Sequence, residues 1–254
     1  GEAAGEPNLY RQMVTAMQHI TVTDQEGIRT IALGRGKANA MNGEMLNEIG
    51  EAVRSAGGQA LVFTSAREKF FSSGFDVQEV FALERPAMEA FFGGFLEIME
   101  AVLRHPRPTV AAVSGHAYAG GAVLAVMCDA RVFGEGPFGF ALNEVNLGIL
   151  LPPGILARTV MAAGSAAARD LLLFGQTYSP AQALACGLAH AVAPPDQVPA
   201  RAAQLAADLA AKPPGAYALV KQAMQRQAGL AGTDRDHLAA FLDQWFSAEC
   251  RAAR

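Results

Sequence analysis

The sequence predicts an α/β fold: a layered core of short buried strands and helices, finished by a portion made of helices only. Three observations predict it. The runs ALVFTS (60–65) and TVAAVSG (109–115) are apolar, rich in β-branched residues and bounded by loop residues, as strands buried on both faces are. Segments with helical spacing alternate with them. From residue 153 onward helical periodicity dominates, interrupted by one short AHAVA run. With 254 residues, 51% apolar and 17% charged, the chain is long and apolar enough for a sizeable core.

In order, ITVTDQEG and IRTIALG read as two strands around a turn at Glu26-Gly27. GKANAMN is a loop. The spacing of Met45, Leu46, Ile49 and Val53 predicts a helix over 43–56, and ALVFTS follows as a strand. AREKFFSSGFD reads as a loop leading into a helix over 77–83, and 88–105 as an amphipathic helix closed by HPRP. After TVAAVSG, Gly120-Gly121 opens an apolar helix through Met127, and DARVFG and PFGFA read as short strands. Helices are predicted over 153–163, 165–174, 180–186, 197–211, 215–227 and 234–252. The domain reading is a frayed N-terminal extension over 1–18, a core over 19–195, and a helical C-terminal region over 196–254.

The bulk properties exclude several classes. A formal net charge of −4 offers no broad attraction for nucleic acid or anionic lipid. Cys128, Cys186 and Cys250 are odd in number, far apart and without a C-x-x-C pair, which argues against a disulfide framework or a zinc site and suits the cytoplasm. No apolar run approaches the ~18–20 residues of a membrane span. Neither GxGxxG nor GxxxxGK[ST] occurs, and Ser114 lacks the first glycine of a GxSxG elbow.

Two segments share a strand, glycine-bearing turn and helix: FTSAREKFFSSGFDVQEV and AAVSGHAYAGGAVLAV. Such turns present unpaired backbone N–H groups at a helix N-terminus, where negative charge is favoured. A third segment, FALNEVNLGI (140–149), holds one carboxylate, Glu144, among uncharged residues. It is either a helix-end acid or a buried proton carrier.

GKANAMN, KFFSSGFDVQEV, SGHAYAGGAVLAVMCDARVF and FALNEVNLGILLPPG, in that order, resemble the crotonase (enoyl-CoA hydratase/isomerase) superfamily over nearly the whole chain. The resemblance implies a spiral of ββα units with a helical C-terminal trimerisation region, and an acyl-CoA enzyme assembled as a homotrimer or dimer of trimers. It implies no metal or redox cofactor, coenzyme A being part of the substrate. Phe75 and Gly120 match the two backbone donors of the family's oxyanion hole. Coenzyme A would lie along Lys37, Ala38 and Ala40 and along Ser73, Phe75 and Asp76.

Family hydratases use two glutamates. Val123 stands at the first position and Glu144 at the second, while Pro152 stands where dienoyl isomerases place their further acid. The Leu142-Asn143-Glu144 segment is similar to that of single-glutamate Δ3-Δ2-enoyl-CoA isomerases, so the resemblance implies isomerisation with Glu144 as proton shuttle. Hydration, thioester hydrolysis and a non-catalytic acyl-CoA binder are the alternatives. Elsewhere the residues read as framework. His116 is expected to be hydrogen-bonded, Asp129 a cap or turn residue, and Asp76 and Glu79 part of the helix that follows them. Trp245 and Phe246 are expected in packing or subunit contacts rather than an acyl pocket. Tyr118 and Asn143 are indistinguishable from ordinary loop residues.

Overall fold

In the computed structural model, which describes residues 13–230, 232 and 234–253, the ordered chain begins before His19. Strand β1 (Met13–Ala16) pairs antiparallel with β2 (Ile20–Gln25). This corrects the reading of 1–18 as one extension. The four side chains of β1 are all exposed, so no apolar alternation marked it as a strand. Residues 1–12 of that extension lie outside the described residues. β2 and β3 (Ile28–Leu33) form the predicted hairpin, with Glu26 and Gly27 both at positive φ (50° and 76°). That conformation matches the turn's twist to the strands.

From β3 onward the chain repeats one path: a strand in a large sheet, a short strand or bridge in a small one, then a helix. β3 is followed by a bridge from Met41 to Phe75 and by α1 (Gly43–Arg54). Next come β4 (Ala60–Ser65), β5 (Phe70–Ser72), α2 (Val77–Val80) and α3 (Arg85–Arg104). The third round is β6 (Thr109–Val113), β7 (His116–Tyr118) and α4 (Gly120–Met127). The fourth is β8 (Ala130–Gly134), β9 (Phe140–Ala141), a 3-10 turn at Glu144–Leu147 and α5 (Pro153–Leu172). There follow β10 (Thr177–Tyr178), α6 (Pro180–Ala185), β11 (Ala191–Ala193), α7 (Val198–Ala210) and α8 (Pro214–Gln227). A 3-10 turn (Asp234–His237), α9 (Leu238–Trp245) and α10 (Ala248–Ala252) close the chain.

The large sheet has the order β1-β2-β3-β4-β6-β8-β11 and is parallel from β3 on. The small sheet has the order β10-β9-β7-β5, and β5, β7 and β9 run parallel. Its strands are two or three residues long, too short for a periodicity signal, and the sequence reading placed β5, β7 and β10 in loops, turns or between helices.

Alternation along the large sheet divides the core. Leu61, Phe63, Ala111 and Val113 point into the main cluster shared with α1, α3 and α4. Ala60, Val62, Val110, Ala112 and Val132 point the other way, where Val198, Ala202 and Ala206 of α7 cover them. Helix α7, assigned from sequence to the C-terminal region, therefore belongs to the sheet by packing. The helices predicted at 153–163 and 165–174 are joined as α5 with a break at Gly164 (φ 78°). The single helix predicted over 234–252 is divided, and the Ser247 hydroxyl caps α10 by accepting the Cys250 N–H. Among the described residues, no helix is long and apolar enough to cross a membrane.

Candidate active site

The small sheet explains how distant segments meet. β5, β7 and β9 are adjacent and parallel, so residues just beyond their C-terminal ends stand side by side. Those residues are Phe75, Gly120 and Glu144. All three line one cavity of about 330 Å³, with Ser73, Tyr118 and Val123 also in its wall.

The two glycine-bearing turns are in direct contact. Gly74 has φ +91°, and a Cβ there would meet the Ala119 Cβ at 2.9 Å and the Gly120 nitrogen at 3.1 Å. A Cβ on Gly121 would meet the Ser72 carbonyl oxygen at 2.5 Å. Both glycines are thus required for the turns to close on each other. Ala119 holds φ 46°, ψ −123°, a strained backbone for an alanine.

The neighbours of the two proposed donors are used by the fold. Met41 N–H donates to the Gly74 carbonyl (2.7 Å), Asp76 N–H to Met41 (2.8 Å), Ala119 N–H to Ala141 (3.0 Å) and Val123 N–H to Ala119 (2.8 Å). Gly120 is the first residue of α4, where an N–H has no partner within the helix. Among the described residues neither the Phe75 N–H nor the Gly120 N–H makes a hydrogen bond, and two such dipoles beside each other can stabilise an anion.

Helix α4 is held from its other end. Arg131, buried, donates to the carbonyls of Ala125 (3.1 Å), Cys128 (2.7 Å) and Leu188 (2.7 Å), and Arg158 donates to the Cys128 carbonyl. Cations at a helix C-terminus complement its dipole. Burial pushes the Arg131 guanidinium down to about 9. Asp129 is the ionic partner here: its Oδ2 accepts from Thr109 N–H (3.0 Å), Tyr217 O–H (3.0 Å) and Lys221 Nζ (2.9 Å). It is more than the cap expected from sequence.

Glu144 has none of this. It opens the four-residue 3-10 turn and is 6% exposed. Its Oε2 has no hydrogen-bond partner among the described residues. Burial pushes its carboxyl up to about 7. A helix-end acid would face solvent and stabilise N–H groups, whereas this carboxyl faces the cavity with a basicity suited to proton transfer at neutral pH.

His116 is a framework residue, as expected: its Nδ1 accepts from Gly139 N–H (2.9 Å) and pairs with Tyr118 O–H (2.8 Å). Asn143 lines the cavity as well. Trp245 corrects the sequence reading: together with Phe241 of α9 it forms part of the cavity wall. Its helical spacing at the chain end carried no sign of where α9 would dock.

The 37–41 loop lies beside this cavity. Ser73 N–H donates to the Ala38 carbonyl (2.9 Å), while Arg35 donates to the Ala40 carbonyl (2.7 Å) and to the Asp76 carboxylate (2.8 Å). Lys37 is exposed. Asp76 is held as a brace and also caps α2 through Gln78 N–H, and the adjacent Arg35 keeps its carboxyl below the usual range. Of the six positions matched to coenzyme A binding, Ser73 and Phe75 line the cavity and the other four belong to the adjoining loops. Asn39, missed from sequence, organises them: it is buried at φ 50° and donates to the Ser65 hydroxyl (2.8 Å) and the Phe71 carbonyl (3.0 Å). Tolerance of a left-handed backbone by asparagine was the available signal.

A spiral of strand–strand–helix units, with two free N–H groups and a buried acid around one apolar cavity, defines the class of fold and site found in acyl-CoA enzymes. The chain belongs to the enoyl-CoA hydratase/isomerase family, whose pattern it matches over residues 23–248. It is 34% identical over 206 residues to a putative enoyl-CoA hydratase of Thermus thermophilus, covering 79% of each chain. A probable enoyl-CoA hydratase of Mycobacterium bovis is 31% identical over 212 residues, 82% of this chain and 81% of that one. Among solved structures, an apo Mycobacterium tuberculosis enoyl-CoA isomerase superposes with TM-score 0.79 at 28% identity, covering 87% of this chain and 97% of its own. Human mitochondrial Δ3-Δ2-enoyl-CoA isomerase shares the fold, with TM-score 0.85 at 24% identity over 93% of this chain and 95% of its own.

Proposed function

We propose that the protein shifts a double bond in an acyl-CoA, converting a 3-enoyl-CoA to a 2-enoyl-CoA, with Glu144 as the single proton shuttle. The observation that carries this reading is the lone buried carboxyl in the cavity of Phe75 and Gly120, with apolar Val123 (1% exposed) where a second acid would sit. The thioester oxygen accepts from the N–H groups of Phe75 and Gly120. Glu144 removes a proton from the α-carbon, and the electron pair moves onto that oxygen as a dienolate. Each donor of this kind is worth about 3 to 4 kcal/mol. The same carboxyl returns the proton to the γ-carbon, the oxygen's electrons return, and the double bond becomes conjugated. Nothing is oxidised or reduced, so the reaction calls on no redox group.

Hydration is the second reading, favoured by the relatives named as hydratases. The two differ in their products. A 3-enoyl-CoA should gain conjugated-thioester absorbance at constant mass, whereas hydration of a 2-enoyl-CoA loses that absorbance and adds the mass of water. Rapid hydration without isomerisation would replace the first reading by the second.

The cytoplasm and a homotrimer or dimer of trimers complete the proposal. Self-association is supported by one face: Val160, Leu219, Val220 and Met224 of α5 and α8 are 42–66% exposed beside a cavity of about 570 Å³. Leu219→Asp with Val220→Asp should lower the sedimentation mass to that of one chain.

A further inference from the structure

We infer that the acyl cavity ends at a stop made of two rings, Phe81 just after α2 and Trp245 on α9, and takes acyl groups of up to about ten carbons. This rests on the acyl-CoA reading above and adds the substrate's size to it.

The wall can be followed ring by ring from the thioester end. Phe75, whose N–H marks the position of the thioester oxygen, packs edge-on against Phe92 and Phe95 at centroid distances of 6.3 and 4.8 Å. Phe92 stacks on Phe241 of α9, and Phe241 on Trp245 at 5.7 Å. Trp245 in turn meets Phe81 at 5.6 Å. Phe92, Phe95, Phe241 and Trp245 are at most 2% exposed, so this wall is core, while Phe81 is 38% exposed and forms the outer edge. Such packed rings do not yield space cheaply.

Chemistry and size both follow. Glu144 is the one charged side chain among the residues lining the cavity, so the part of the ligand beyond the thioester must be apolar. At about 30 Å³ per atom-sized unit, the share of one water, the 330 Å³ holds about eleven non-hydrogen atoms. That is a carbonyl oxygen and about ten carbons. A longer chain has to displace the Phe81–Trp245 pair or remain in solvent.

The test is a calorimetric series of saturated acyl-CoAs from butanoyl to hexadecanoyl, which needs no assumption about the reaction. Affinity should rise by up to about fourfold per methylene and stop rising near ten carbons. Phe81→Ala, which truncates a partly exposed ring, should raise the hexadecanoyl-to-octanoyl affinity ratio at least tenfold. Trp245→Ala should do the same where circular dichroism finds it folded. A parent protein that keeps gaining affinity to hexadecanoyl overturns the stop, as does an unchanged length profile in folded Phe81→Ala. Binding without any length dependence removes this inference and leaves the acyl-CoA reading standing. Absence of binding at every length removes both.

Discussion

Asp129 and Glu144 are two inward-facing acids associated with opposite ends of the same helix, and their surroundings differ in kind. Asp129, just beyond the C-terminus of α4, is matched by a backbone N–H, a phenol and an ammonium. Glu144, across the cavity from the N-terminus of α4, keeps one oxygen without a partner and faces no cation in the cavity wall among the described residues. A buried ionisable group costs stability unless it is paired. The paired acid therefore belongs to the scaffold. An unpaired one that persists in a packed fold, in a cavity beside the Phe75 and Gly120 N–H groups, is the candidate for the proposed chemistry.

The comparison can be broken at either acid. The largest effect is expected at Glu144: Glu144→Gln keeps shape but cannot take a proton, so turnover of a 3-enoyl-CoA should fall by about 10² to 10⁴. Acyl-CoA affinity should change little, because in the proposed mechanism backbone groups hold the thioester oxygen. At Asp129 the loss should be of stability. Asp129→Asn leaves Lys221, only 9% exposed at its side chain, without its charge partner, and urea unfolding should show about 3 to 5 kcal/mol lost. A stable Asp129→Asn protein, or one that folds normally but is inactive, would erase the distinction.

The pH dependence sharpens it. The Glu144 carboxyl is raised from 4.5 to about 7 by burial. Below pH 4.5 it is protonated in folded and unfolded chains alike and costs nothing. As pH rises through 7 the unfolded chain has already released its proton, and the folded chain must ionise a buried group. Stability is therefore lost over that window, by about 3 kcal/mol. Glu144→Gln should exceed the parent in stability by that amount at pH 8 and match it at pH 4. The smallest effect concerns the oxyanion turn: Ala119→Gly relieves a backbone strain of about 1 to 3 kcal/mol against a glycine entropy cost of about 0.5 to 1 kcal/mol. A gain of about 1 kcal/mol in thermal unfolding is expected.

What could be read from sequence divides by length of signal. The hairpin, the large-sheet strands other than β1 and most helices carry enough apolar periodicity to be located, and the order of glycine turns and the Glu144 segment pointed to the candidate site. Of the small sheet only the strand in PFGFA showed, because Phe70–Ser72, His116–Tyr118 and Thr177–Tyr178 hold two or three residues each. The contact of α9 with the cavity through Phe241 and Trp245 was equally silent, since an amphipathic face does not name the surface it will cover. Asp129 read as a cap because Tyr217 and Lys221, its partners, lie some ninety residues away. The ion pair of Asp76 with Arg35 joins residues far apart in the chain and was not legible either.

The most direct test of Glu144 as the proton shuttle is hydrogen exchange in D₂O with a 3-enoyl-CoA, read by NMR of the acyl chain. The parent protein should place deuterium at the α- or γ-carbon as the double bond moves, and folded Glu144→Gln should place none. Exchange by Glu144→Gln at the parent's rate would contradict the account and return Glu144 to the role of a buried turn residue.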